Sequence, residues 1–491
     1  MRLLAIRLLP PLLVAGAGVL AMAAWLSAGP GVDLEPRLPG ADSSADQQAG
    51  AEEVDIAGLF TPGPGLPADL PGLWPCFRGP DRNAVSTEQT ALTRSLTDLP
   101  SRRMWSVPLG EGYAGPAVAG GRVYLLDYDQ QADADTLRCL SLADGSEIWR
   151  RGYHVKVKRN HGMSRTVPAV GDGFVVTIGP KCHVMCAAAD TGEFLWGIDL
   201  IRQYGATVPD WYTGQCPLID EGKAVIAPGG SALMIAVDCA TGRVVWETPN
   251  PNGWRMTHSS VMPMDLAGRR MYVYCASGGV VGVSAEDGHV LWQTGAWTVN
   301  MANIPSPVVV GDGRLFLTGG YGSGSMMVRV IEHSGQFAAE ELFRLKPQQF
   351  GAEQQTPVLY EGHIFGLRQD GQLVCLDLDG NILWESGRTN RFGDNGRGPC
   401  LIADGMLLVL GSEGTLSLIE ASAAGFHELS RADVLTHGEA WGPTALAGGR
   451  LLARDLVTMT CLDIRAEVPG HQELRPALPA GGLGSPPAGG D

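Results

Sequence analysis

The chain has 491 residues, 45% of them hydrophobic and 18% charged, and its 52 acidic against 36 basic residues give a formal net charge of −16. No basic patch interleaves with aromatic residues, which disfavours nucleic acid as a partner. The acidity favours solubility outside the cell and indicates little else about function.

The first 28 residues are predicted to form a secretory signal peptide or an uncleaved N-terminal membrane anchor. Arg2 and Arg7 precede an apolar stretch over residues 8–26, and small residues offer cleavage sites at its end. Both alternatives predict an exported protein of the periplasm or cell envelope, whose membrane contact is limited to a possible N-terminal anchor. No Cys precedes Cys76, so we expect no lipoprotein acylation site.

Two segments have the composition of flexible chain. Residues 29–72 are rich in Gly, Pro, Ala, Asp and Glu, which predicts a disordered acidic linker, and residues 466–491 predict a disordered tail. The folded part is therefore expected to be one domain over residues 73–465.

Within this domain one short pattern recurs: a turn that ends in Gly, three further residues and then Trp. Its copies end at Trp149, Trp196, Trp246, Trp292 and Trp384. A period of roughly 40–50 residues built from short strands indicates a β-propeller. Each Trp is predicted to lie on an outermost strand and to fill the wedge between neighbouring blades.

The innermost strands indicate eight blades, each a four-stranded antiparallel meander. Blades five and seven lack the outer Trp and end instead near Phe343 and Leu429. The last blade lacks its outer strand, whereas Trp105, upstream of the first inner strand, has no blade of its own. We therefore expect an all-β, eight-bladed β-propeller, closed by an N-terminal strand that carries Trp105 and completes the last blade.

The ten Cys residues are an even number in an exported chain, which ordinarily suggests disulfides. Cys139, Cys375 and Cys461, however, occupy the same strand position of different blades, where they cannot easily pair. They are interpreted as small buried hydrophobic residues, although the pairing state of the other Cys residues stays open.

No metal site is predicted. Cys182, His183 and Cys186 lack a second pair of ligands, and buried thiols are the better interpretation. The acidic pairs Asp127/Asp129 and Asp133/Asp135 lack the Gly and Glu of an EF-hand loop, so we expect solvated loop acids.

The segment just before each inner strand should line the mouth of the central funnel. Polar and aromatic side chains gather in these segments although blade packing does not require them there, which makes the funnel the predicted binding site. The candidate binding residues are Tyr113, His161, Arg165, Trp211, Tyr212, Gln215, Trp254, His258, Trp297, Asn303, Gln355, Asn395, Arg397 and Trp441.

His258, in the sequence Met256-Thr257-His258-Ser259-Ser260, could serve as a general base beside a hydroxyl group or could orient its loop by hydrogen bonds. No ordered set of nucleophile, base and acid accompanies it, so hydrolase chemistry has little support. The catalytic residues, if there are any, stay unknown.

With these repeats in view, the chain resembles the quinoprotein-like propellers, which are built from pyrroloquinoline quinone (PQQ) repeats. The run Cys375–Trp384 is a close copy of their Leu-Asp-x-x-Gly-x-x-x-Trp outer turn, and the resemblance covers roughly residues 74–464. The lead-in segment from Leu73 to Asn83 is similar to the Trp-Pro-x-Phe-Arg-Gly-Pro-x-Arg lead-in of exported bacterial propellers.

The resemblance implies two alternatives. Quinoprotein dehydrogenases bind PQQ with calcium, using adjacent Cys residues, a stacking Trp and a Glu/Asn/Asp metal set, but this chain has no adjacent Cys pair and no motif for that metal set. BamB-type propellers bind no cofactor and act as scaffolds, although the missing lipoprotein Cys argues against BamB itself.

The first hypothesis is therefore an exported binding or scaffold protein, with an unidentified protein or polymer partner of the cell envelope docking on Trp211, Tyr212, Trp254, Trp297 and Trp441. A PQQ- or quinone-dependent oxidoreductase is the alternative, and a carbohydrate- or polymer-binding protein is the third. No cofactor is predicted, and PQQ with calcium lacks support from a motif.

Overall fold

The computed structural model describes residues 14–24, 53–159 and 161–466. Residues 14–24 form a helix, α1, within a compact unit of its own. Among the described residues, no helix is both long and apolar enough to cross a membrane. The rest of the predicted signal or anchor, linker residues 29–52 and tail residues 467–491 lie outside the described residues.

Two strands precede the repeats, β1 (Leu59–Pro62) and β2 (Arg103–Pro108), with the short helix α2 (Leu99–Arg102) just before β2. The first four blades follow in chain order. They consist of β3 (Ala117–Ala119), β4 (Arg122–Asp129), β5 (Ala134–Ser141) and β6 (Glu147–His154); β7 (Ala169–Gly171), β8 (Phe174–Ile178), β9 (His183–Ala188) and β10 (Phe194–Asp199); β11 (Leu218–Asp220), β12 (Lys223–Ile226), β13 (Ala232–Asp238) and β14 (Val244–Pro249); β15 (Met262–Leu266), β16 (Arg269–Ala276), β17 (Gly279–Ser284) and β18 (Val290–Thr294).

The remaining four blades repeat the arrangement, and a second short helix, α3 (Leu200–Tyr204), follows β10. The later strands are β19 (Val308–Gly311), β20 (Arg314–Gly319), β21 (Gly324–His333) and β22 (Gln336–Leu345); β23 (Val358–Tyr360), β24 (His363–Leu367), β25 (Leu373–Leu376) and β26 (Ile382–Glu385); β27 (Cys400–Ala403), β28 (Met406–Leu410), β29 (Thr415–Glu420) and β30 (Glu428–Asp433); β31 (Ala445–Ala447), β32 (Arg450–Arg454) and β33 (Thr458–Asp463). The predicted eight-bladed propeller is confirmed.

The N-terminal strand closes the ring as predicted. β2 pairs antiparallel with β33, so the last blade has the order β2-β33-β32-β31 and its outer strand comes from the start of the domain. Trp105 on β2 lies opposite Cys461, in the position that the repeated Trp takes in other blades. The ring therefore has no missing outer strand, which would leave a ladder of backbone groups unpaired.

The flexible linker expected up to residue 72 does not extend over residues 53–72, which pack against the propeller. β1 pairs antiparallel with β6, with Phe60 opposite Arg151, and makes blade one five-stranded. The local run Leu59-Phe60-Thr61 has strand-forming residues that the surrounding Gly- and Pro-rich composition hid.

The repeated Trp residues lock neighbouring blades together through the Gly of the next turn. A Cβ on Gly242 would lie 2.6 Å from the Trp196 side chain, so only Gly leaves room for the indole. The same contact joins Trp105 to Gly145, Trp149 to Gly192 and Trp246 to Gly288. Phe343 takes the place of the Trp in blade five, since a Cβ on Gly380 would lie 2.7 Å from its ring.

The register explains why Cys recurs in the repeat. Cys139, Cys186, Cys375 and Cys461 each lie directly opposite a blade Trp on the neighbouring strand. Ala236 and Gly282 occupy the same place in blades three and four, so the position requires a small side chain beside the indole. All ten Cys residues are buried and free, as the interpretation of small hydrophobic residues expects.

Hydrogen bonds link the innermost strands of consecutive blades. Each donor is a backbone N–H and each acceptor a side chain of the next blade: Val167 N to Cys216 Sγ, Cys216 N to Ser260 Oγ, Ser260 N to Ser306 Oγ and Ser306 N to Thr356 Oγ1. In the three other blades Gly occupies this position, as Gly115, Gly398 and Gly442.

The lead-in segment and the three residues after it cross the inner strands of several blades. Trp74 pairs with Val118 of blade one, the Pro75 carbonyl accepts from Val170 of blade two, and Arg82 donates to Ile219 of blade three. The buried Arg78 guanidinium donates to the carbonyls of Thr356 and Pro357 in blade six, at 2.7 and 2.8 Å. The segment thus ties opposite sides of the ring together.

Candidate functional site

A cavity of about 260 Å³ lies in the funnel, where the loops that precede the inner strands converge. Its walls combine aromatic, cationic and small polar side chains from all around the ring. The lining residues are Phe77, Tyr113, His161, Arg165, Trp211, Gly214, Cys216, His258, Ser260, Ile304, Tyr321, Gln354, Gln355, Arg397, Trp441 and Pro443.

Two guanidinium groups and two aromatic rings form one wall of the cavity. Tyr113 and Trp441 stack with ring centroids 4.9 Å apart and an interplanar angle of 20°. Arg165 lies over the Tyr113 ring at 5.0 Å, and Arg397 lies over the Trp441 ring at 4.8 Å. Cation–π contacts of this kind fix the two guanidinium groups in place.

Carboxylates behind this wall hold it in position. The Tyr113 hydroxyl donates to Glu439 Oε2 at 2.5 Å, and Arg397 pairs with Glu353 Oε1 at 2.8 Å. Glu353 is 5% exposed, and its other oxygen accepts from Gln369 Nε2 at 2.9 Å.

Gln355 ties three blades together at the cavity. Its Nε2 donates to the carbonyl of Arg397 at 2.8 Å and to the carbonyl of Trp441 at 3.0 Å. Gln355 belongs to blade six, whereas the two acceptors precede the inner strands of blades seven and eight. The aromatic and cationic wall is thereby anchored to the neighbouring loops.

His258, from blade four, lies on the opposite side of the ring from Tyr113 and Trp441. Burial, together with the nearby Arg165 guanidinium, lowers the pKa of His258 to about 4, so the ring is neutral at neutral pH. Its Nε2 is buried and has no hydrogen-bond partner among the described residues. Close by, the Asn303 carbonyl accepts from the backbone N–H groups of His258 and Ser259.

The backbone is strained at several cavity residues. His161, Trp211 and Tyr321 have φ of 56°, 63° and 54°, and the adjoining Tyr212 and Glu439 have φ of 70° and 51°. Such a conformation is a clear outlier for bulky side chains, and costs about 1–2 kcal/mol per residue. Asp172 and Glu221 share it because each precedes a Gly in a tight turn between the inner strands, and His161 and Tyr321 likewise precede Gly162 and Gly322. Trp211 precedes Tyr212 and has no such Gly beside it.

The structure brings part of the predicted binding set together. The predicted residues that line the cavity are Tyr113, His161, Arg165, Trp211, His258, Gln355, Arg397 and Trp441. Tyr212 adjoins it but is 2% exposed, and its hydroxyl donates to the Lys158 carbonyl.

The other predicted residues lie elsewhere. Gln215 is fully buried and bonds the Ala227 backbone, and Trp297 is 1% exposed in the core of blades four and five. Asn303 is buried beside His258 but does not line the cavity, and Asn395 is exposed outside it. Trp254 lines a separate groove of about 360 Å³ with Pro249 and Leu291.

Two of the four acids predicted to be solvated, Asp127 and Asp135, are buried, whereas Asp129 and Asp133 are partly exposed. Asp135 is fully buried and accepts from Tyr153 Oη at 2.9 Å and Ser164 Oγ at 3.1 Å. Asp127 is 7% exposed and pairs with Arg138 at 3.0 Å. Both lie on strands β4 and β5, where the pairing of two long strands encloses their side chains.

Two aromatic lining residues escaped the sequence analysis. Tyr321 follows Gly319 and Gly320 at the end of β20, and Phe77 belongs to the lead-in segment. The Gly-rich run around Tyr321 was a usable signal, because it marks unusual backbone. Phe77 lies outside the repeats, so its arrival in the funnel could be seen only once the segment was folded.

Comparisons with known proteins agree with the repeat pattern. Residues 133–340 match the family model described as "Outer membrane protein assembly factor BamB". A curated relative of that same description from Yersinia pestis is 26% identical over 272 residues, which are 44% of this chain and 67% of the relative. The chain is an eight-bladed propeller whose repeats are similar to those of the PQQ-like and BamB-type proteins.

Solved structures resemble the PQQ-like propeller at the level of the fold. BamB from Moraxella catarrhalis is 14% identical, with a TM-score of 0.51, and the match covers 73% of this chain and 99% of that one. A europium-containing methanol dehydrogenase is 13% identical, with a TM-score of 0.58, covering 79% and 91%. At such identities these matches show the fold alone.

The funnel of this propeller does not fit the metal-bound quinone of the dehydrogenases. Among the described residues, none that lines the cavity is Asp or Glu. Within the described residues, no group of three or more His, Cys, Asp and Glu side chains could hold a metal ion. The lining offers the amides of Gln354 and Gln355 but not the carboxylate oxygens that such an ion prefers.

Proposed function

We propose that this chain is an exported binding protein that docks a partner of the cell envelope through its funnel. The observation that carries the proposal is the concentration of strained residues at the cavity. Trp211 and Tyr212 are consecutive bulky residues with φ of 63° and 70°, and neither is followed by the Gly that accompanies a positive φ in the repeated hairpins. His161 and Tyr321, from other blades, add φ of 56° and 54°, each before a Gly. Strain of this kind clusters at ligand sites, where the surrounding structure maintains it for function.

The fixed arrangement of Arg and aromatic side chains in the wall supports the same proposal. Arg165, Arg397, Tyr113 and Trp441 are fixed by stacking and by hydrogen bonds before any partner arrives. A pre-organised set of Arg and aromatic side chains reduces the entropy lost on binding, and Trp, Tyr and Arg dominate binding energy at interfaces.

The comparisons support the location and the kind of partner. The curated relative is an outer-membrane protein assembly factor, so its place of action is the cell envelope. Export of this chain to the envelope is consistent with that relative and with the apolar N-terminal stretch. The metal-dependent dehydrogenase alternative is disfavoured, because the lining offers no carboxylate ligands.

Site-specific photo-crosslinking in the producing cell tests the proposal. A benzoylphenylalanine replaces Gln354, which is half-buried in the cavity wall, and as a control it replaces Leu383, which is 43% exposed on the outer strand β26. We expect a discrete crosslinked adduct with an envelope component from position 354 and none from position 383. Equal adducts from both positions, or none from position 354, would overturn the proposal.

A further inference from the structure

The charge of the cavity lining is opposite to that of the chain. The chain carries a formal net charge of −16, yet the described residues of the lining include two Arg side chains and no Asp or Glu. Two carboxylates beside the wall, Glu353 and Glu439, are bonded to Arg397 and Tyr113, and Glu439 also acts on Arg165 through its charge. A group that enters the cavity therefore meets cationic donors first, which favours an anion.

His258 adds a second, independent requirement on the other side of the cavity. Backbone hydrogen bonds with Asp210 and Tyr212 favour the protonated ring, so the ring is the donor in them. Because Nε2 has no partner among the described residues, Nδ1 is the nitrogen that donates, which assigns a lone pair to Nε2. A buried acceptor without a partner costs free energy, so an occupant that donates to Nε2 is favoured.

The size of the cavity limits the occupant. Its volume of about 260 Å³ equals the liquid volume of about nine water molecules, at about 30 Å³ each. Such a space holds one small molecule or the end of one polypeptide segment, and no folded element enters it.

The aromatic wall adds a constraint of its own. Tyr113 has Trp441 stacked on it and Arg165 over it, and Trp441 also has Arg397 over it. The faces of these two rings are covered by each other and by the guanidinium groups. An occupant would therefore contact the guanidinium groups and would not stack on the rings.

We propose that the cavity recognises a carboxylate flanked by a hydrogen-bond donor, with the carboxylate at Arg397 and Arg165 and the donor at His258 Nε2. This inference rests on the proposed function and names the chemistry of what the funnel binds. Two kinds of ligand have this chemistry. One is a free hydroxycarboxylate, and the other is the C-terminal carboxylate of a partner polypeptide, whose neighbouring N–H is the donor.

Isothermal titration calorimetry of the purified full chain with four probes tests this chemistry. Gluconate represents the free hydroxycarboxylate and N-acetylphenylalanine the polypeptide terminus, whereas glucose and N-acetylphenylalanine amide are their uncharged counterparts. We expect saturable binding of at least one carboxylate, at least tenfold tighter than its uncharged counterpart. Binding of gluconate alone identifies the free acid as the source, and binding of N-acetylphenylalanine alone identifies the polypeptide terminus.

Three variants locate the binding. Arg397→Gln should weaken it at least tenfold, while Arg269→Gln, at an exposed Arg of blade four outside the cavity, should leave it unchanged. Ile304→Trp fills the cavity without removing a charge and should abolish binding, which keeps the test decisive if Arg397→Gln folds poorly. No binding of either carboxylate, equal binding of the uncharged probes, or full binding by Ile304→Trp would overturn the inference. The crosslink from position 354 tests the proposed function separately, since a partner without this chemistry would still give it.

Discussion

The guanidinium of Arg397 lies 4.8 Å from the centre of the Trp441 ring while it pairs with Glu353 at 2.8 Å. One side chain thus connects the ion pair of blade six to the aromatic wall of blades eight and one. The position of the cationic group in the funnel is therefore set by the protein before any ligand binds.

We expect the Arg397–Glu353 pair to stabilise the loops measurably. Arg397→Ala leaves the carboxylate of Glu353, whose side chain is 6% exposed, without its cation, and should lower the free energy of unfolding by about 3 kcal/mol. Glu353→Gln should cost less, because the amide still accepts a hydrogen bond. Urea unfolding of both single variants and the double variant checks the coupling; strictly additive losses would contradict a direct interaction.

The contact between Trp196 and Gly242 predicts a clear difference between two Gly substitutions. Gly242 and Gly222 have nearly equal φ, 70° and 72°, but a Cβ meets the Trp196 side chain only at Gly242 and meets nothing within 4 Å at Gly222. Gly222→Ala should cost about 1 kcal/mol from backbone strain, and Gly242→Ala about 1–3 kcal/mol more from overpacking. Thermal or urea unfolding measures both. Equal losses would show that the turn Gly serves the backbone conformation alone.

Asp135 predicts a dependence of stability on pH. Burial raises the pKa of Asp135 to about 7, against opposing hydrogen bonds from Tyr153 and Ser164. The folded state therefore binds more protons than the unfolded state between about pH 4 and pH 7, so stability falls as the pH rises through that range. Relative to Asp135→Asn, the wild type should lose about 3–4 kcal/mol between pH 4 and pH 8.

Urea unfolding at several pH values measures this difference, with Asp312→Asn as the control because the Asp312 side chain is 87% exposed. The control should follow the wild type at every pH. A constant offset between the wild type and Asp135→Asn would contradict the assignment. Because Ser164 directly precedes Arg165, the same titration acts on the loop that carries one of the funnel arginines.

The buried Cys residues predict a thiol count that depends on unfolding. All ten are buried and free, and burial raises the pKa of Cys139 and Cys461 to about 12. Ellman's reagent should detect almost no thiol in the native protein and ten after denaturation without reductant, since both access and thiolate are lacking in the fold. A smaller count after denaturation would reveal a disulfide.

The fold could be predicted well from the sequence because each repeat keeps the Gly of its tight turn and the Trp that packs between blades. Gly turns and their following Trp residues mark every regular blade, and even Phe343 could be recognised as a replacement in blade five. Closure of the ring could be predicted because the strand around Trp105 belonged to no blade, while the last blade lacked its outer strand. The segment 59–62 was missed, because its strand formers are few and its partner β6 is distant in sequence.

The site was harder to predict than the fold. Residues just before the inner strands were predicted to meet at the funnel, because the propeller topology places these segments at its mouth. Five of them line one cavity: Tyr113, Arg165, His258, Arg397 and Trp441. Their position in the repeat could not separate them from Trp297 and Gln215, because the depth of a loop residue depends on tertiary packing. Phe77 reaches the cavity through the lead-in segment, which no repeat describes.

The most direct test of the account is a high-resolution crystal structure of the chain purified from the cells that produce it, with no ligand added. The account predicts density for a bound group in the funnel, contacting Arg397 on one side and His258 Nε2 on the other. A funnel that holds only water, together with equal crosslinking from positions 354 and 383 or none from position 354, would contradict it.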